Sequence, residues 1–175
     1  MGQSETSVEQ MMAYYEDVSP ISYPSSVYED KGAPTLEDFC TILYQQAKSE
    51  GVRAEVLFCQ AMKETGWLQF GGAVQPNQCN FGGLGATGGG VQGATFPNVQ
   101  TGLLAQAQHL KAYASTETLN NPCVDPRFNL VTRGTAPYVE WLGQQENPAG
   151  FGWATSKNYG YDIVRMMDDL LIYEV

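Results

Sequence analysis

At 175 residues with 43% hydrophobic side chains, the chain is long enough for one domain with a sizeable core. Nine basic against nineteen acidic residues give a formal net charge of −10, which argues against nucleic acid or an anionic membrane surface as the main partner. No stretch approaches the length of a membrane span, the polar first thirty residues lack a signal-peptide pattern, and one histidine with four dispersed cysteines gives poor support for a metal centre.

In chain order, Thr6-Ser7-Val8-Glu9 has the form of a capping box and predicts a short helix to about Glu16, docking loosely. Residues 17–34 hold Pro20, Pro24 and Pro34 among serines, tyrosines and acids and read as an irregular connector. Residues 1–34 are therefore expected to form an N-terminal arm and residues 35–175 the main domain. Thr35 caps a helix whose Leu36, Phe39, Cys40, Leu43, Tyr44 and Ala47 recur at three and four, with Gly51 as its stop. The following helix has almost no polar face between Ala54 and Met62, so it should be buried on most sides, and Gly66 ends it. Seven glycines then fall between Gly82 and Gly93, too many for a core segment, and residues 83–96 leave room for a short hairpin.

Asn98 can cap a helix to about Ala114, with Leu103, Leu104, Ala107, Leu110 and Tyr113 inward. His109 lies on it and reads most simply as a structural hydrogen-bonding histidine. Residues 120–133 form a loop, Thr135 and Pro137 start a short helix through Trp141, residues 144–157 form another loop, and residues 159–173 make the last helix. Cys40 and Cys59 are expected as buried thiols, and a Cys79–Cys123 disulfide is compatible with the sequence without being required by it. With no convincing alternating strand run, the class is mostly α.

The chemistry concentrates on residues 53–90. Glu64 falls in the last turn of the buried helix, where the backbone dipole and burial both disfavour the anion. That favours a protonated carboxyl near neutral pH, the state a general acid needs; the alternative is an ordinary solvated helix-end glutamate. The glycine-rich loop could let backbone approach a ligand, but there is no G-x-x-x-x-G-K-[ST] and no basic residue between Lys63 and Lys111, which disfavours a phosphate cradle. Trp67, Phe81, Tyr138, Trp141, Trp153 and Tyr159 sit in loop-rich or helix-end segments, where rings can stack on sugars; half or more are expected to be core instead.

Several segments then match a known pattern in order: Ala61-Met62-Lys63-Glu64-Thr65-Gly66-Trp67, Asn80-Phe81-Gly82-Gly83-Leu84-Gly85, Phe96-Pro97-Asn98-Val99, Ala136-Pro137-Tyr138-Val139-Glu140-Trp141-Leu142, and Trp153-Ala154-Thr155 with Asn158-Tyr159-Gly160. From about residue 34 to about residue 171 the chain resembles bacterial peptidoglycan endo-β-N-acetylglucosaminidases of glycoside hydrolase family 73, in the lysozyme-like superfamily. The resemblance implies an α+β lysozyme-like helical domain with a cleft and a small glycine-rich loop or β-hairpin lobe. It also implies cleavage of peptidoglycan glycan strands after N-acetylglucosamine by a monomer without metal or organic cofactor. Glu64 matches the general acid, and Tyr159 the tyrosine that orients the N-acetyl group or stabilises charge. Asn80 and Phe81 match the cleft floor, although Asn-Phe-Gly-Gly departs from the commoner Asn-Leu-Phe-Gly. Trp67, Tyr138, Trp141 and Trp153 are further candidates for substrate binding.

A second carboxylate, common in glycoside hydrolysis, is missing from residues 65–116, where some members of the family carry one. Among the later acids Asp125 and Glu140 are the candidate substitutes, with a solvated helix-face residue as the other reading of Glu140. Without them, either the substrate's N-acetyl group acts as nucleophile or the muramoyl hydroxyl closes an anhydro ring, as in lytic transglycosylases. A stem-peptide amidase and a non-catalytic wall-binding module are the rival readings. Because cell walls carry anionic polymers that repel an acidic domain, a separate wall-binding module is expected. The missing signal-peptide pattern fits a cytoplasmic protein, a phage enzyme or a fragment of a secreted or wall-associated parent, and the last two are the expectation.

Overall fold

The computed structural model describes residues 1–175 as six α-helices joined by 3-10 turns and loops, with no extended strand. Side-chain capping fixes where three of the long helices begin. In α1 (Val8–Val18), Ser7 accepts from the Gln10 N–H while the Gln10 side chain accepts from the Ser7 N–H, so the box sits one residue later than its sequence motif suggests. Thr35 and Asp38 form the corresponding box for α3 (Leu36–Glu50), which ends at left-handed Gly51. Gly66, also left-handed, ends α4 (Ala54–Thr65). The Asn98 side chain caps α5 (Val99–Ala114), and α6 (Tyr159–Leu171) closes the chain.

Ten of the twelve residues of α4 are buried, so this helix is the hub on which α3, α5 and α6 pack. Its apolar composition dictates that position, since a helix without a polar face has to be covered on all sides. No helix of the chain is long and apolar enough to cross a membrane.

Four local expectations are corrected. The opening helix is not loosely docked: Met11, Tyr14 and Tyr15 are buried against α3 and α6, and the preceding segment is pinned by Glu5 N–H donating to Glu55 and Ala54 N–H donating to Ser4 Oγ at 2.8 Å. The connector contains α2 (Ser25–Tyr28) and a 3-10 turn at Glu29–Lys31. Its Tyr28 is fully buried, donates to Pro76 O at 2.9 Å and packs on Phe81. The helix expected from Thr135 to Trp141 is only a 3-10 turn, Val139–Leu142. The cysteines are all free: Cys79 is buried and Cys123 exposed, so they do not pair, while Cys40 and Cys59 are buried as expected.

The hairpin alternative for residues 83–96 is also not formed. Glycines 83, 85, 88, 89, 90 and 93 have positive φ, which breaks the two-residue period a strand needs. The loop is stapled instead by side-chain amides: Asn80 Nδ2 donates to Leu84 O and Ala94 O, and Gln78 Nε2 donates to Gln92 O and Ala94 O.

Candidate active site

A cleft of about 630 Å³ opens between the glycine-rich loop and the Gly143–Thr155 region, with Glu64 on its floor. The C-terminal turn of α4 carries Glu64 to this floor, and the turn at Gly83 covers one carboxylate oxygen: a Cβ at residue 83 would lie 3.3 Å from Glu64 Oε2. Gly83 also has φ +67°, so both the backbone and the close approach favour glycine. The other oxygen, Oε1, accepts a short hydrogen bond from the Tyr159 hydroxyl.

Glu64 is open to the cleft, yet protein atoms crowd it from several elements. The resulting desolvation raises its carboxyl pKa above the usual range, partly offset by the Tyr159 hydrogen bond and the nearby Lys63 ammonium. Tyr159 is itself buried beneath the cleft. Desolvation and the Glu64 carboxylate push its phenol well above its ordinary pKa, so it stays protonated and donates.

Behind this pair runs a buried chain of amides. Gln60 Nε2 donates to Tyr159 Oη at 3.1 Å, and Gln106 Nε2 donates to Gln60 Oε1 at 2.9 Å. Gln60 precedes Glu64 by four residues, so both lie on one face of α4. That spacing was the available sequence signal for Gln60, whereas nothing in the local pattern marked Gln106. The start of α6 is held close by Gly160, where a Cβ would lie 2.2 Å from Val139 O, and this contact fixes Tyr159 relative to the 3-10 turn.

The sequence candidates separate into three groups. Glu64 and Trp153 line the cleft, and Tyr159 contacts Glu64 from below. Trp153 Nε1 donates to Gly82 O at 3.1 Å, joining the cleft walls. Asn80 and Phe81 are buried: Asn80 staples the loop, and Phe81 packs against Tyr28, Phe39 and Phe70. Trp67 turns into the core against Tyr14, Tyr15 and Phe58, because it and Leu68 continue the left-handed backbone begun at Gly66. Tyr138 and Trp141 form an edge-to-face pair at 4.9 Å and do not line the cleft.

Neither substitute acid lines the cleft. Asp125 is buried, with Oδ2 2.7 Å from His109 Nδ1, and Glu140 lies on the 3-10 turn. Glu64 is therefore the one carboxylate in the lining, beside His109, Tyr113, Arg127, Gln144 and Thr155. No three of the chain's His, Cys, Asp and Glu side chains converge as a metal-ligand set.

The sequence profile of the glucosaminidase family, described as mannosyl-glycoprotein endo-beta-N-acetylglucosaminidase, matches residues 40–171, which include Glu64, the glycine-rich loop and Tyr159. An uncharacterized protein of Borreliella burgdorferi is 40% identical over 124 residues, covering 71% of this chain. The chain spans only 57% of that relative's length. No solved structure matches significantly. A mostly helical fold with one carboxylate at the base of an open cleft agrees with the profile match, and the chain belongs to the glucosaminidase family of glycoside hydrolases.

Proposed function

We propose that the protein is a peptidoglycan endo-β-N-acetylglucosaminidase in which Glu64 is the general acid and the substrate's N-acetyl group is the nucleophile. The observation that carries this reading is the solitary Glu64 in the cleft lining, with a raised carboxyl pKa and one oxygen held by Tyr159. A protonated Glu64 donates its proton to the glycosidic oxygen as the bond to the anomeric carbon breaks. The acetamido oxygen then closes on that carbon to give an oxazolinium ion, replacing the absent second carboxylate. Water opens this ring, and the Glu64 carboxylate takes up the water's proton, which restores the acid. Tyr159, buried and bonded to Oε1, supports this by fixing the carboxyl group in place, with Oε2 beside the turn at Gly83.

The test is mass spectrometry of fragments released from purified walls, before and after enzymatic de-N-acetylation. Reducing-end N-acetylglucosamine from acetylated walls, with de-N-acetylated walls resistant, is the expected result. Reducing-end muramic acid, anhydro products or free stem peptide would each assign a different reaction.

A further inference from the structure

We propose that Arg127 and His109, both organised by Asp125, form a subsite that binds a carboxylate on the glycan. The inference rests on the glucosaminidase reading for placing a glycan in the cleft. One buried carboxylate organises the pair: Asp125 Oδ1 accepts the Arg127 backbone N–H at 2.9 Å, and Oδ2 lies 2.7 Å from His109 Nδ1. A carboxylate oxygen only accepts, so Nδ1 carries the proton. His109 Nε2 has no protein partner and is not among the polar atoms sealed from solvent, so in a ring that lines the cleft it is the edge available to a ligand.

Arg127 supplies the charge. It lines the same cleft, its side chain reaches toward the glycine-rich loop with Cδ 3.6 Å from a Cβ placed on Gly85, and it makes no ion pair with any acid of the chain. An unpaired guanidinium in the cleft of a protein with net charge −10 is poised for an anion from outside.

The subsite is built rather than incidental. Gln108 Oε1 accepts from Val124 N–H and Asp125 N–H, while Glu50, fully buried, accepts from Asn120 N–H, Asn121 N–H, Gln108 and Lys111. These bonds lock residues 120–125 onto α3 and α5. Trp153 packs against the subsite: its ring lies edge-on to His109 at 4.6 Å, and its Cζ2 is 3.0 Å from a Cβ placed on Gly82. Neither His109 nor Arg127 hydrogen-bonds to Glu64, so the pair is set to hold a substituent of the glycan rather than to act on the bond at Glu64. In peptidoglycan the carboxylate comes from the stem peptide or from a free muramoyl lactyl group.

Soluble strand fragments in three forms separate these sources: with stem peptides, stripped to the free lactyl carboxylate, and stripped then amidated to neutrality. Binding is measured by titration calorimetry with Glu64→Gln, which removes turnover, and with Glu64→Gln/Arg127→Gln. At least one carboxylate form should bind Glu64→Gln about tenfold more tightly than the amidated form, the size of a charge-assisted hydrogen bond. Arg127→Gln should erase that advantage and leave the amidated form unchanged, and Arg127→Lys should restore part of it. An advantage confined to peptide-bearing fragments assigns the carboxylate to the stem; one confined to stripped fragments assigns it to the lactyl group. Equal affinity for all three forms, no binding of any, or an equal loss across all on Arg127→Gln would overturn the subsite. Wild-type cleavage of the same fragments is followed separately; absence of reducing-end N-acetylglucosamine would count against the glucosaminidase reading and leave the binding comparison intact.

Discussion

At Glu64, desolvation raises the carboxyl pKa while the Tyr159 hydroxyl, by bonding to the carboxylate, pulls it down. Removing that hydroxyl should therefore raise it further. Tyr159→Phe is expected to lower kcat while moving the alkaline limb of the pH–rate profile upward, because Glu64 stays protonated to higher pH; a limb that moves down would reverse the assigned hydrogen bond. The same raised pKa bears on stability. A carboxyl whose folded pKa lies above its unfolded one favours folding in acid and loses that contribution as pH rises through the folded value. Glu64→Gln, neutral throughout, should then melt at a higher temperature than wild type at pH 8 and lose the advantage below pH 4, as scanning calorimetry can show. The position of Glu64 was legible because Gly66 is a backbone stop. The aromatics were not, since ring type does not separate a core packer such as Trp67 from a cleft liner such as Trp153.

Between elements, two contacts decide whether the cleft keeps its shape. Gly160 lets α6 rest on the 3-10 turn with no room for a methyl group, so Gly160→Ala should destabilise by about 1–3 kcal/mol and lower activity by displacing Tyr159. Denaturant melts and turnover of the folded fraction check both effects. Burial alone would raise the Glu50 carboxyl; the hydrogen bonds from Asn120, Asn121, Gln108 and Lys111 outweigh it and hold the pKa below the usual range. Its contribution is therefore present at neutral pH and lost in acid as the folded pKa is passed. Glu50→Ala leaves Lys111, itself buried, without its counter-ion, and should cost about 3–5 kcal/mol in urea unfolding at pH 7. The helices containing these residues were readable from caps and periodicity: α3, α4 and α5 begin and end where Thr35, Gly51, Gly66 and Asn98 indicate. The tie from Glu50 to residues 120–121 was not readable, because a glutamate just before a helix-stopping glycine has the pattern of a solvated end.

For the whole molecule, the net charge of −10 opposes approach to a wall carrying anionic polymers. Raising salt shortens the screening length, to about 8 Å at physiological ionic strength, so lysis of such walls should quicken between low and physiological salt and the effect should vanish once those polymers are stripped. The mostly α class, and the segment that supplies Glu64 and the glycine-rich wall of the cleft, followed from local pattern. The opposite wall of the cleft did not: His109, Arg127 and Trp153 come together only through contacts among distant segments. The central claim, that Glu64 supplies the proton for glycan cleavage, is tested most directly by the turnover of Glu64→Gln on purified glycan strands, read as release of reducing-end N-acetylglucosamine. A fall of about two to four orders of magnitude with strand binding retained is expected of a lost general acid; turnover within a few-fold of wild type in the folded variant would contradict it.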